Sequence, residues 1–288
     1  APKVFLSISE KLWFAAAIFS GGIIAPVLLM AGLSSMSASG ASLLLNMESV
    51  FTALLAWIVF KENVDRRIAL GMILIVIGAV VLTDIDTLKI ESIWPSLAIM
   101  GACLCWGIDN NLTRKVSLKD AAWIASVKGL IAGSVNLILA FVMGSLLPSL
   151  PTMAGAITLG FFAYGVSLTL FVLGLRNLGT ARTGAYFSVA PFIGSLIAIG
   201  MGEPITLSLI SAGLLMAVGL WLHLSEHHHH RHIHTETEHD HEHSHDEHHQ
   251  HSHDNLSAAT TTNSHQHAHA IQAHEHVHFP DAHHQHKH

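Results

Sequence analysis

Residues 38–60 read ASGASLLLNMESVFTALLAWIVF, an apolar run whose only ionisable residue before Lys61 is Glu48, near its middle. A helix needs about 20 consecutive apolar residues to cross the hydrocarbon core of a bilayer, so this stretch reads as a membrane span. Seven more of similar character flank it, at Leu12 to Leu33, Arg67 to Thr83, Trp94 to Leu112, Ala121 to Leu147, Met153 to Leu175, Ala181 to Met201 and Ile205 to Leu224. Charged or Gly/Pro/Ser-containing turns separate them. The composition agrees: 51% of the chain is hydrophobic and 12% charged, against about a quarter charged in soluble domains. The expected fold is an all-α membrane protein, a polytopic bundle of eight helices.

The positive charges orient that bundle. Lys3, Lys11, Lys61, Arg66, Arg67, Arg114, Lys115, Lys119, Arg176 and Arg182 fall on one side, and only Lys89 on the other. Cytoplasmic loops attract Lys and Arg, so both termini are expected in the cytoplasm. Cys103 and Cys105, two apart on a helix, point to roughly opposite faces and form neither a disulfide nor a chelate.

The chain also repeats itself. Gly32-Leu33 matches Gly174-Leu175, Glu62 matches Glu203, and Gly71 with Gly78 matches Gly213 with Gly219, all at an offset of 141 or 142 residues. Five spans separate equivalent helices, and an odd number inverts their orientation. Inverted repeats sharing a passage are a transporter architecture.

The run Ser39-Gly40-Ala41-Ser42-Leu43-Leu44-Leu45-Asn46-Met47-Glu48, with Val50 to Ala56, Glu62 and Gly71 after it, resembles the EamA family of the drug/metabolite transporter superfamily. Ala181 to Glu203, with Pro191, resembles that family's second repeat, and Trp106 to Arg114 with Lys128-Gly129 and the histidine tail resembles a bacterial subgroup. The resemblance covers roughly Leu12 to Leu224. It implies two five-helix repeats, an inner-membrane location and export of a small metabolite or drug-like solute. On that reading residues 1–83 are repeat 1 without its first two helices, 84–224 are repeat 2, and the parent protein has ten spans.

Charges inside a membrane cost at least about 2.5–3.5 kcal/mol each, so those retained usually face protein or water. Glu48, about ten residues or roughly 15 Å into its span, sits near the midplane and is the candidate proton- or cation-coupling carboxylate. Lys128 is expected to pair with it or with an anionic solute; the alternative for both residues is a structural ion pair, or for Lys128 a side chain that only snorkels. Asp109 reads as an interfacial cap or a partner of Arg114, with a transport role as the alternative. Asn46, Asn110 and Asn111 are candidate solute-binding amides, whereas Asn136 reads as a tie between helices. Pro191 would kink its helix near the midplane; Trp106, Tyr164 and Tyr186 are cavity-lining or interface-anchoring aromatics. Gly129 and Gly133 form a Gly-x-x-x-Gly pair suited to close helix packing or a homodimer.

All 25 histidines lie at or beyond His223. Residues 225–288 combine 24 of them with ten acids and few large apolar groups, too little to offset ordering entropy by burial. The tail is therefore expected to be disordered. Its clusters, His227, His228, His229 and His230, then His239, His241, His243 and His245, then His248, His249, His251 and His253, suit Zn, Ni, Co or Cu; no other cofactor is implied. Imidazole titrates near pH 6.5, so the tail would shed metal on mild acidification. The expected partners are lipid, a small solute and divalent transition metals, with no provision for nucleic acid. A transition-metal transporter and a non-transporting metal sensor are the competing readings. Against metal transport stands the lack of any histidine in the spans before His223. A membrane enzyme would need histidine clusters beside the spans, and the chain has no phosphate-binding loop for ATP.

Overall fold

The computed structural model describes residues 5–59, 66–82 and 90–225, together with four strand segments between 229 and 277. The expectations placed on Lys3, Lys61, Glu62, Lys89 and the tail histidine side chains lie outside the described residues. Among the described residues of the body, 5–225, every regular element is a helix. In chain order it comprises α1 (Ile8–Ala17) and α2 (Ala25–Leu33), α3 (Ala38–Leu44) and α4 (Met47–Ile58), α5 (Arg66–Leu82), α6 (Ile90–Arg114), α7 (Ala121–Val142), α8 (Leu150–Gly160) and α9 (Ser167–Leu178), α10 (Thr180–Phe187) and α11 (Ala190–Gly200), and α12 (Leu207–Leu224). Six spans among the described residues are long and apolar enough to cross a membrane: Ile8–Leu33, Ala38–Ile58, Ala121–Val142, Leu150–Leu178, Thr180–Gly200 and Leu207–Leu224. With 17 residues, α5 is about 25 Å long; the other two spans expected from the sequence fall on α5 and the more polar α6, outside these six.

Local chemistry sets the helix ends. Ser7 and Glu10 cap each other's amides at the start of α1, while Asp120 and Thr206 accept the amides of Trp123 and Leu209 at the starts of α7 and α12. Gly144, Gly179 and Gly202, with φ of 86°, 79° and 104°, end α7, α9 and α11 in a conformation that side chains disfavour.

Contacts at the basic end confirm the alternation of direction. Lys119 pairs with Glu10 at 3.3 Å. Arg176 donates to the Ser117 and Lys119 carbonyls at 2.7 and 2.5 Å, and Arg67 to the Ser225 carbonyl at 3.2 Å.

Two irregularities recur in both repeats. Π-helical turns at Ile18–Ile24 and Phe161–Val166 interrupt the equivalent spans α1–α2 and α8–α9. Breaks at Leu45–Asn46 and Ser188–Val189 divide the spans α3–α4 and α10–α11. Pro191 accounts for the second break; no proline marks the first.

The helices α5 and α12 cross the repeats as a close antiparallel pair. A Cβ on Gly71 would lie 2.6 Å from the Gly219 carbonyl oxygen, one on Gly219 2.7 Å from that of Gly71, and one on Gly78 3.1 Å from that of Ala212. Ile75 and Met216 fill the seam between them and are fully buried. Gly213, the repeat equivalent of Gly71, is not in this seam: a Cβ there meets only Leu43 Cδ1, at 3.6 Å. His223 closes the basic end of the pair, its Nε2 3.0 Å from the Ile68 carbonyl oxygen.

By contrast, α8 and its π turn bury no residue. Positions Gly129 and Gly133 on α7 face open space, with nothing within 4 Å of a Cβ, so among the described residues the Gly-x-x-x-Gly pair packs against nothing.

Residues 227–278 with 286–288 form a second unit. It carries two antiparallel ladders, β1 (His229–His234) with β4 (Gln272–Val277) and β2 (Thr237–His243) with β3 (Asn263–His269). Such ladders pair main-chain groups and need no apolar side chain.

The α5–α12 seam predicts that Gly71→Leu destabilises the protein by about 1–3 kcal/mol through overpacking. Detergent melting should fall for Gly71→Leu and stay unchanged for Gly129→Leu.

Candidate functional site

Near the middle of the bundle, α6 carries a polar layer that faces α4 on one side and α7 on another. Successive residues of a helix point about 100° apart, so Asp109 and Asn110 serve different neighbours. The Asn110 amide donates to Glu48 Oε1 at 2.9 Å and to Thr52 Oγ1 at 3.1 Å. Asn111 donates to the Thr52 and Gly107 carbonyls at 3.0 and 2.9 Å. Glu48 is half-buried in the first turn of α4, just past the Leu45–Asn46 break. There the positive end of the half-helix dipole favours a negative charge.

Asp109 faces the other way. Its Oδ1 pairs with Lys128 Nζ at 2.5 Å and accepts from Thr113 at 2.8 Å, and Lys128 also donates to Thr113 at 3.1 Å. The two charged side chains are 6% and 9% exposed. This bears out the structural ion pair weighed for Lys128 and corrects its partner from Glu48 or an anionic solute to Asp109, which reads from the sequence as a helix cap or a partner of Arg114. The two charges sit on neighbouring antiparallel helices, α6 and α7, and burial favours their mutual neutralisation. Gly21 makes room for them, since any Cβ there would overlap the Asp109 carboxylate.

The first π turn ties this layer down. A π turn loosens the regular carbonyl pairing of a helix, and side chains from α6 and α7 meet the carbonyls here. Trp106 donates to Gly21 at 3.0 Å and Asn136 to Gly22 at 2.7 Å, while Ser20 donates to the Cys105 carbonyl at 2.8 Å. The indole N–H of Trp106 is therefore engaged in a helix tie, as is the amide of Asn136.

Asn46, fully buried at the break, donates to the Leu43 carbonyl at 2.9 Å. Its Oδ1 and that of Asn111 accept no hydrogen bond among the described residues. Pro191 is buried at the start of α11 and its carbonyl accepts from Ser42 Oγ at 2.7 Å. Tyr186 and Tyr164 are 57% and 61% exposed and stand apart from the layer. Among the described residues no group of three or more His, Cys, Asp or Glu gathers, and Cys103 and Cys105 are both free.

Thr52, Thr113 and Gly21 are constituents that the sequence reading missed. Both threonines lie four residues beyond a carboxylate it did select, Glu48 and Asp109, which is the spacing of one helix face.

Breaking the buried pair should cost about 3–5 kcal/mol in either Lys128→Met or Asp109→Asn, because each strands a buried polar or charged partner. The double variant should recover most of that loss. Melting of the two singles and the double in detergent measures the coupling.

Comparison with known proteins places this geometry. An archaeal protein from Methanothermobacter thermautotrophicus, described as an uncharacterized transporter, is 32% identical over 208 residues, covering 69% of this chain and 60% of that protein. The uncharacterized transporter YyaM of Bacillus subtilis is 25% identical over 206 residues, covering 67% and 66%. The chain thus spans less than two thirds of the length of either relative. A solved crystal structure shares the fold with a TM-score of 0.60 at 16% identity, over 77% of this chain and 80% of that one. The EamA-like transporter family matches residues 2–84 and 93–225. On a match that takes in both repeats, the chain belongs to the EamA-like transporter family.

Proposed function

We propose that this chain is the core of a secondary transporter of the inner membrane, exporting a small metabolite or drug-like solute by alternating access between its two repeats. The observation that carries the reading is Glu48, held by Asn110 at the start of a half-helix inside the bilayer. Half-helix ends and broken backbone near the midplane are where transporters hold solutes and coupling ions. With Lys128 neutralised by Asp109, Glu48 is the carboxylate of the layer left to exchange a proton or a cation. The basic end of the bundle is cytoplasmic on this reading, as are both termini.

The coupling role predicts that Glu48→Gln, in the full-length protein reconstituted in vesicles, lowers gradient-driven accumulation of radiolabelled solutes at least about tenfold, while exchange without a gradient persists. Accumulation unchanged by Glu48→Gln would sink the assignment.

The tail is a chelating appendage, given 24 histidines beyond His223 and the affinity of neutral imidazole for divalent transition metals. Titration calorimetry with Ni or Zn should show multi-site binding that is lost on deleting Glu226 to His288. Binding should fade below about pH 6.5 as imidazole protonates. Unchanged metal uptake by cells carrying the deletion would separate chelation from metal transport.

A further inference from the structure

The breaks at Leu45–Asn46 and Ser188–Val189 cut two spans into half-helices, and the halves pair across the repeats. Towards the charge-poor end α3 lies along α11; towards the basic end α10 lies along α4. These two seams differ in tightness. In the first, Ser42 Oγ donates to the Pro191 carbonyl at 2.7 Å, and a Cβ on Gly194 would overlap the Ser42 hydroxyl. In the second, a Cβ on Gly184 would find Thr52 Cγ2 at 3.5 Å and Ser49 Cα at 3.9 Å, ordinary contact distances.

The tight seam ends in Glu203, in the turn after α11. Its Oε1 accepts the Ala38 amide at 2.7 Å and its Oε2 the Ser39 amide at 2.9 Å. One carboxylate from repeat 2 thereby closes the first turn of α3 in repeat 1, across 164 residues of chain. Hydrogen bonds from the Ser39 side chain, then from the Ser39 and Ala38 amides, hold this carboxyl below the usual carboxylate range. The contact is thus present near neutral pH and is lost only as pH falls through that lowered range.

We propose that Glu203 is the latch of a gate at the charge-poor end, holding α3 against α11, and that its release is the step that opens the solute path on that side. The proposal rests on the alternating-access reading and assigns Glu203 a positioning role, acting through the two helices rather than on the solute. A side chain that merely stabilised the fold would loosen the bundle at large. A latch, in contrast, shifts the balance between two states, so opening one end closes the other.

Spin-label pairs at exposed positions distinguish these. In the full-length protein in proteoliposomes, a pair at Ser35 and Met201 reports the charge-poor end and a pair at Ile58 and Asn177 the basic end. Glu203→Gln keeps the length but offers one acceptor to two amides. It should raise the population with the first pair apart and the second pair together by roughly five- to tenfold. Glu203→Asp should restore part of the original distribution. Ser42→Ala, which weakens the same seam without touching the carboxylate, should act in the same direction and serves if Glu203→Gln fails to fold. Both pairs widening together, or neither moving, would overturn the latch. The transport reading fails separately, on the flux of Glu48→Gln.

Discussion

No water reaches the hydrocarbon core of a bilayer, so every backbone amide and carbonyl released there must find a partner within the protein. Four interruptions of regular helix lie inside the spans, two π turns and two breaks. At the first π turn the side chains of Trp106 and Asn136 supply the donors. At the first break Asn46 bonds back to Leu43 and Ser49 to Asn46. The polar residues of the core are thus arranged around the irregular backbone, and the candidate site follows from that arrangement.

The layer on α6 separates two kinds of buried charge. Asp109 and Lys128 neutralise one another, with Thr113 bound to both and Gly21 pressed against the carboxylate. Such a pair costs desolvation that its attraction roughly offsets, and it is most costly when broken, so it fixes α6 against α7. Glu48 has an amide and a half-helix start beside it, and no salt bridge is seen to it among the described residues. One helix therefore carries a buried charge pair on one face and, one residue along, the donor to the Glu48 carboxylate on another.

Much of this was legible in the sequence, for identifiable reasons. Span length and the Lys/Arg bias gave the helices and their alternation, because the bilayer sets both. The 141–142-residue offset paired spans that share a π turn or a break in three dimensions. Pro191 announced its break by chemistry, since proline removes an amide. The break at Asn46 gave no such signal, since no proline marks it. Nor could spacing along one helix reveal that Lys128 meets Asp109 rather than Glu48, because partner choice depends on how helices rotate against each other. The hydrogen bonds of Glu203 were hidden for the same reason: Ala38 and Ser39 lie in the other repeat.

The mutual approach of Gly71 and Gly219 bears on how such a chain can change over generations. Each residue occupies the space left by the other's missing side chain, and they belong to the two halves whose likeness the sequence offset suggests. Two copies that began as equals can diverge freely in their loops and lipid-facing surfaces. Along this line they remain bound to each other's history, because a larger residue accepted by one half is felt at once by its twin.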